Sequence, residues 1–190
     1  MSNILKFILS LTVALLLMLA FRALAFTIYY VDGDGLMPEF VAGDHVMVNR
    51  WSYGLRIGGR FTFGDQQGKN SLFGYGRLYR QPMCRGDIVA YEDPSDSTLT
   101  RMLFGRLHAL PGDTIRHNGT IKIVPGLASC ADNDYYWVQA LSDDNPIDSR
   151  QLGLISEQRI IGRAFLIVYS HPADSSLWKG YRNDRFLLLK

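Results

Sequence analysis

The sequence is poor in the residue types that several classes of protein require. It has two cysteines, Cys84 and Cys130, among 190 residues, too few for a disulfide-rich scaffold and without the spacing of a zinc site. Its formal net charge is only +2, so charge gives no reason to expect a nucleic-acid partner. From Ile28 to Arg50 there is no serine, threonine or cysteine, so this stretch has no ordinary hydroxyl or thiol nucleophile.

Apolar residues, in contrast, are plentiful. Hydrophobic residues make up 47% of the chain and charged residues 20%, which suits one folded domain with a core of its own. The longest apolar run is FILSLTVALLLMLAF, from Phe7 to Phe21, with Lys6 before it and Arg22 after it. Counted from Ile4, it predicts about 27 Å of helix, close to the roughly 30 Å of a bilayer core.

We interpret this run as an uncleaved membrane anchor whose basic N-terminal end stays in the cytoplasm. A cleaved signal peptide is an alternative, because Ala23-Leu24-Ala25 is similar to a cleavage site; a buried core helix is another. The apolar sequence resumes in ALAFTIYYV, which would let the helix run on past Arg22. We assign residues 1–30 to the anchor and its lead-in, and residues 31–190 to an extracytoplasmic domain. In that compartment the two cysteines are equally compatible with a disulfide and with two free thiols.

Beyond the anchor, short β-type runs are separated by turn residues, so we predict a mainly β domain. The stretch DTIRHNGTIKI, which ends at Ile123, has two such runs around Asn118-Gly119, the strongest short-range signal for a hairpin. Residues 57–82 are predicted to be a Gly-rich loop, and residues 171–190 a basic and apolar tail that rests on a bilayer surface or packs along an edge. The other predicted strands are 45–49, 87–91, 135–138 and 160–169.

Several segments follow one another in an order that is typical of one enzyme family. An apolar helix that ends in Arg22 precedes these segments, and the tail segment YRNDRF follows them. In order, they are GDGLMPEFVAGD (33–44), VNRWSYGLR (48–56), RGDIV (85–89), RLHALPGD (106–113), DNPIDSR (144–150) and IGRA (161–164). Together they make the chain similar to the bacterial type I signal peptidases, which are membrane-anchored Ser/Lys endopeptidases. The resemblance implies an N-terminal transmembrane helix and a domain of coiled antiparallel β-sheets.

Four positions that carry chemistry in that family lack their functional groups here. The resemblance places the nucleophilic serine at Gly35 and the lysine that serves as its base at Gly105. It places the two supporting serine hydroxyls at Gly33, beside the oxyanion, and at Pro146, beside the lysine. The resemblance therefore implies that none of the catalytic residues is intact. A hydroxyl nucleophile needs a base within hydrogen-bond reach, and both groups are replaced. His108 is a poor replacement, because an offset of three along a strand points to the opposite face.

The resemblance also implies a peptide site and a set of structural residues. An extended peptide would add to strands beside the old nucleophile through backbone hydrogen bonds, at Asp34, Leu36, Met37 and Pro38. Gly43-Asp44 and Pro111-Gly112-Asp113 are predicted turns. In the last segment, Asp144, Asp148 and Arg150 match structural positions, and we expect Asp148 and Arg150 to form an ion pair or backbone contacts.

The sequence therefore predicts a catalytically degenerate signal peptidase homologue, single-pass in the bacterial inner membrane with its domain on the outer side. It would bind signal peptides or secreted pre-proteins, or act as a non-cleaving subunit or chaperone beside an active signal peptidase or a translocation complex. An active peptidase with an unusual catalytic residue and a pure scaffold of a membrane complex are the alternatives. We expect no cofactor, no metal and no nucleic acid. Restoring serine at position 35 and lysine at position 105 is expected to bring the two groups within about 2.6–3.2 Å and to give weak activity.

Overall fold

The fold begins with a long helix that passes directly into a β-strand. The computed structural model describes residues 3–32, 36–57, 76–96, 101–129, 131–142, 147–171 and 180–189. Helix α1 spans Asn3–Ala25 and strand β1 spans Phe26–Tyr30. From Asn3 to Leu19 the side chains of α1 are exposed. Among the described residues, none of the helices has both the length and the apolar character that crossing a membrane requires.

Strand β1 belongs to the main β-sheet. Its five residues pair antiparallel with β2 (Asp44–Asn49) from Phe26 to Tyr30. The expectation that the helix runs on through ALAFTIYYV is therefore wrong, because most of that stretch forms the strand. The sheet begins at Phe26, five residues before the boundary predicted at residue 31.

Seven strands form one antiparallel sheet in the order β1-β2-β11-β5-β6-β9-β10. This sheet is curled: Tyr29 of β1 lies against Phe104 of β6 with ring centroids 6.1 Å apart, although three strands separate β1 from β6 in the sheet. The mainly β class with a coiled antiparallel sheet is confirmed. The remaining elements are β3 (Leu55–Ile57), β4 (Gly76–Leu78), β5 (Ile88–Glu92), β6 (Met102–Ala109), β7 (Thr114–His117), β8 (Thr120–Ile123), β9 (Tyr135–Gln139), α2 (Ser149–Leu152), β10 (Ile155–Ser156) and β11 (Ile160–Ser170).

The predicted strands are all present within one residue at each end, and the hairpin is β7–β8 with its turn at Asn118-Gly119. Both turn residues have positive φ, 49° and 74°, as a two-residue turn of the I′ kind requires. The predicted loop 57–82 is partly wrong. Within it, Ile57 ends β3 and Gly76–Leu78 form β4, and the two strands pair. Residues 58–75 lie outside the described residues.

Two hydrophobic clusters lie on opposite faces of β5, which is buried on both sides. Side chains alternate along a strand, so Ile88 and Ala90 enter the first cluster, while Val89 and Tyr91 enter the second. The first cluster lies inside the curl, with Phe40 and Phe104. A smaller third cluster lies under the β7–β8 hairpin, around Trp137.

The described part of the C-terminal tail packs along β11. The backbone N–H of Ile167 donates to the carbonyl of Leu187 (3.0 Å), and the N–H of Leu189 donates to the carbonyl of Phe165 (2.9 Å). These two bonds continue the sheet by a short segment, which favours the prediction of edge packing for this part of the tail.

Candidate functional site

Residues 36–44, which we call the box segment, make a compact turn over the first hydrophobic cluster. The N–H of Phe40 donates to the carbonyl of Leu36 (3.1 Å), and the ring of Phe40 is fully buried. Met37 and Pro38 are exposed. Gly33, Asp34 and Gly35, which include the predicted nucleophile position, lie outside the described residues.

The end of the box segment is held by a buried ion pair with the C-terminal tail. Asp44 is fully buried; its Oδ2 accepts from Arg185 Nη2 (2.6 Å) and from the N–H of Val41 (2.9 Å). Burial by itself would raise the pKa of Asp44, but hydrogen bonds from Arg185, Ser170 and the Val41 N–H outweigh it and hold that pKa below its usual value. The carboxylate is therefore charged, and its lowered pKa depends on Arg185 of the tail.

The same tail reaches two further points of the box segment. Arg185 also donates to the carbonyl of Glu39 (3.0 Å), and Arg182 donates to the carbonyl of Ala42 (3.0 Å). The sequence predicted a basic tail but not its partners, because the bonded residues are far apart along the chain.

Gly105, the predicted lysine position, lies in β6 opposite Val89. A Cβ placed on Gly105 would lie 2.8 Å from the carbonyl oxygen of Gln139, and closer still to Val138 Cγ1, well inside van der Waals distance. The next atom it would meet is Tyr91 Cε1 at 3.5 Å. Val138 and Tyr91 both belong to the second cluster, so position 105 points into a filled core.

Strand β9 is held beside Gly105 by Asp148 and Ser149 of the segment DNPIDSR. Ser149 Oγ accepts from the N–H of Val138 (2.9 Å), and Asp148 Oδ2 accepts from the N–H of Ala140 (3.0 Å). Asp148 is fully buried, caps α2 and pairs with Arg150 Nε (2.9 Å). The strand that crowds Gly105 is thus tied down at both ends of its contact.

Phe104 and Arg106, the two neighbours of Gly105, face the box segment instead. The ring of Phe104 lies edge-on to Phe40 with centroids 5.3 Å apart. Arg106 Nη2 donates to Glu39 Oε1 at 2.5 Å. Since strand side chains alternate, position 105 points away from the described part of the box segment. Position 35 lies outside the described residues, so the expected meeting of a lysine at position 105 with a serine at position 35 stays a prediction.

One edge of β6 is paired with a neighbouring strand along only part of its length. Strand β5 pairs with β6 from Met102 to Arg106, whereas β9 pairs with it only from Arg106 to Ala109. Within the described part of the chain, the half from Met102 to Gly105 therefore has a strand partner on one side only. An edge of this kind can accept an added strand through backbone hydrogen bonds.

Other motif residues hold the sheet together. Asp87 accepts from Tyr53 Oη (2.8 Å) and pairs with Arg163 Nε (3.2 Å), which joins three of the sequence segments. Asp113 closes the turn after β6 by accepting from the N–H of Leu110 (2.7 Å), with Gly112 at φ 91°. His108 is exposed and lies at an irregularity in the β6–β9 register, between Leu107 and Ala109. Cys84 is an exposed free thiol. Cys130, Asp144 and Pro146 lie outside the described residues.

Comparison with known proteins gives the family. The pattern of the family described as "Signal peptidase, peptidase S26" matches residues 4–126. Signal peptidase I of Pseudomonas aeruginosa is 24% identical over 217 residues, which cover 83% of this chain and 70% of that protein. Signal peptidase I of Buchnera aphidicola is 26% identical over 90 residues, 47% of this chain and 24% of that protein. The chain belongs to the peptidase S26 family of signal peptidases.

Proposed function

We propose that this chain is a member of the signal peptidase family that binds extended segments of exported proteins without cleaving them. The observation that carries the proposal is the geometry at Gly105, where Val138 and the Gln139 carbonyl fill the space that a lysine stem would need. The sequence adds that the nucleophile position holds Gly35 and that no serine, threonine or cysteine lies between Ile28 and Arg50. A serine–lysine mechanism has neither of its two groups.

The partly paired edge of β6 supports binding over a pure scaffold. Backbone N–H and C=O groups from Met102 to Gly105 do not depend on a catalytic side chain, so strand addition remains available. The exposed Met37 beside Pro38 offers an apolar contact for a small side chain of the bound segment. Secreted pre-proteins and signal peptides are the ligands this geometry suits, because they present extended, small-residue segments.

We expect the purified full chain to bind a fluorescent signal peptide and to leave it uncut. Binding is measured by fluorescence anisotropy in detergent, and cleavage by mass spectrometry after prolonged incubation, with an active signal peptidase as the positive control. Met37→Glu should weaken binding roughly tenfold, since it puts a charge against an apolar segment. Leu127→Glu is the matched control, because Leu127 is similarly exposed (50%, against 44% for Met37) and belongs to a different part of the fold.

The outcomes of this experiment separate the three functions. Cleavage activity that co-purifies with the chain and is lost in Asp34→Ala or His108→Ala would establish an active peptidase with an unusual catalytic residue. A peptide that binds neither the wild type nor Leu127→Glu would favour the scaffold. Binding that is weakened by Met37→Glu alone, with no product, is the result we expect.

We further propose that residues 3–25 anchor the chain in the bacterial inner membrane, with the β domain on the outer side. From Asn3 to Leu19 the side chains of α1 are exposed and mostly apolar, and the sequence stays apolar through Phe21. Lys6 at the N-terminal end favours a cytoplasmic N-terminus.

The anchor predicts that the protein stays in the membrane fraction after carbonate extraction and keeps its own N-terminus. Tryptic peptide mapping of the membrane fraction measures both properties. A mature protein that begins at Phe26, recovered in the soluble fraction, would show instead that the run is a removed signal peptide.

A further inference from the structure

A second concave site lies beside the β7–β8 hairpin. It is a cavity of about 430 Å³, within the usual range of roughly 300–1,000 Å³ for small-molecule sites. Its walls come from the turn before β5, the end of β6, β7 and its turn, β9 and α2. Some of the lining residues belong to the sequence segments quoted above, such as Arg85, Asp113 and Arg150, but none of these was assigned to a binding site, and the lining does not include the box segment. The basic side chains that line it are Arg85, His108, Arg116, His117 and Arg150.

Positive charge exceeds negative charge in this lining. Asp113 is the single carboxylate among the lining residues, and it is already paired with Arg85 (2.7 Å). Arg150 pairs with the buried Asp148. Arg116 is exposed on β7 and makes no ion pair within the described residues. Even with Asp148 counted, the three arginines outnumber the two carboxylates.

The donors suit an oxyanion that belongs to a larger molecule. Guanidinium groups match the oxygens of phosphate in paired hydrogen bonds, and surplus positive charge favours an anion. The cavity is larger than a phosphate group alone, and the amides of Asn118 and Gln139 in its lining can bond hydroxyl groups.

An apolar strip of the hairpin lies beside Arg116, one of the residues that line the cavity. Ile121 and Ile123 of β8 are 69% and 66% exposed. They lie directly opposite Arg116 and Thr114 of β7, and residues opposite each other in an antiparallel pair share a face. The arrangement of a basic cavity next to exposed isoleucines suits a phosphate ester with an apolar portion.

We propose that this cavity binds the phosphate group of a phosphate ester, supplied either by a phospholipid head group or by a soluble ester. Arg116 is the residue that contributes charge to the ligand without a competing carboxylate in the described structure. The apolar strip would contact the rest of a lipid, whereas a soluble ester would use the cavity alone. This proposal is independent of peptide binding at the box segment.

The test uses the detergent-solubilised full chain and two probes. Radiolabelled glycerol 3-phosphate tests a soluble ester by equilibrium dialysis. Mixed micelles that contain phosphatidate or phosphatidylcholine test a lipid by the shift in chain fluorescence. We expect saturable binding of at least one phosphate monoester, and a loss of about tenfold or more in affinity for Arg116→Gln, which removes a charged hydrogen bond.

Lys122→Gln is the matched control, because it removes the same charge from the same hairpin. Lys122 lies opposite Ile115, on the other face from Arg116, and is not among the residues that line the cavity. Unchanged binding in Lys122→Gln together with the loss in Arg116→Gln supports the site. Binding of glycerol 3-phosphate in the dialysis experiment identifies a soluble ester as the source. Binding of phosphatidate micelles without binding of glycerol 3-phosphate identifies a lipid. Equal losses in both variants would reduce the effect to general charge, and no binding of either probe by the wild type would overturn the proposal. Unchanged melting temperatures of the variants verify their folding.

Discussion

Putting serine at position 35 and lysine at position 105 is expected to give a less stable protein that still does not cleave a signal peptide. At Gly105 a side chain would meet Val138 and the Gln139 carbonyl, and forcing extra atoms into a packed core typically costs about 1–3 kcal/mol. Val138 cannot easily withdraw, because its N–H is bonded to the buried Ser149 Oγ. The lysine would also start from the face of β6 that is turned away from Glu39 and Phe40.

Denaturant unfolding and a peptide cleavage assay measure the two parts of this prediction. Gly76→Lys is the matched control, because a Cβ at Gly76 would meet nothing within 4 Å, so its free energy of unfolding should change little. Val138→Ala in the Gly105→Lys background removes one of the two contacts and should recover part of the lost stability. Efficient cleavage by the double variant, Gly35→Ser with Gly105→Lys, at unchanged stability would show that the site is only emptied and has kept its shape.

Arg185→Ala is expected to destabilise the fold by about 3–5 kcal/mol, because it leaves the fully buried Asp44 carboxylate without its cation. The box segment would lose a second contact at the Glu39 carbonyl. Arg182→Ala is the matched control from the same tail. Arg182 donates to the carbonyl of Ala42 and to Ser170 Oγ, both neutral acceptors, so its loss should cost about 0.5–1.5 kcal/mol.

The effect of Arg185→Ala should also depend on pH. The pKa of Asp44 is lowered in the folded state, so its contribution to stability is present above the unfolded pKa of about 3.9 and is lost as pH falls through the folded value. In Arg185→Ala, burial without the arginine should raise that pKa. The difference in free energy of unfolding between wild type and variant should therefore be largest near pH 7 and shrink towards pH 4. A difference that is the same at both pH values would mean that Arg185 acts through packing alone.

Local sequence signals predicted those parts of the fold whose conformation depends on nearby residues. Asn118-Gly119 marked the β7–β8 turn because both residues tolerate positive φ, and alternation marked β2. The same signals failed at Phe26–Tyr30, where an apolar stretch after a helix suits either continued helix or strand. Pairing with β2 decided for strand. They also missed β3 and β4, whose pairing joins Leu55–Ile57 to Gly76–Leu78 across a long insertion.

For the candidate site, the sequence named the positions and the structure gave their surroundings. That Gly35 and Gly105 stand where the family has its serine and lysine is implied by the resemblance and stays a prediction. That Gly105 faces the second cluster depends on the pairing of β6 with β9, which no local pattern encodes. The Arg106–Glu39 and Arg185–Asp44 pairs were missed for the same reason, since each joins residues distant in the chain.

The sequence by itself determined the family, the β class and the hairpin, because these depend on residue identity, periodicity and turn chemistry. Only the tertiary structure decided that β9 fills the space beside Gly105, that the C-terminal tail holds the box segment through Asp44, and that basic residues from separate parts of the chain line one cavity. The physical reason is that side-chain direction in a sheet is set by register, and charge partners are set by the curl of the sheet, so both follow from long-range pairing and not from neighbours in the chain.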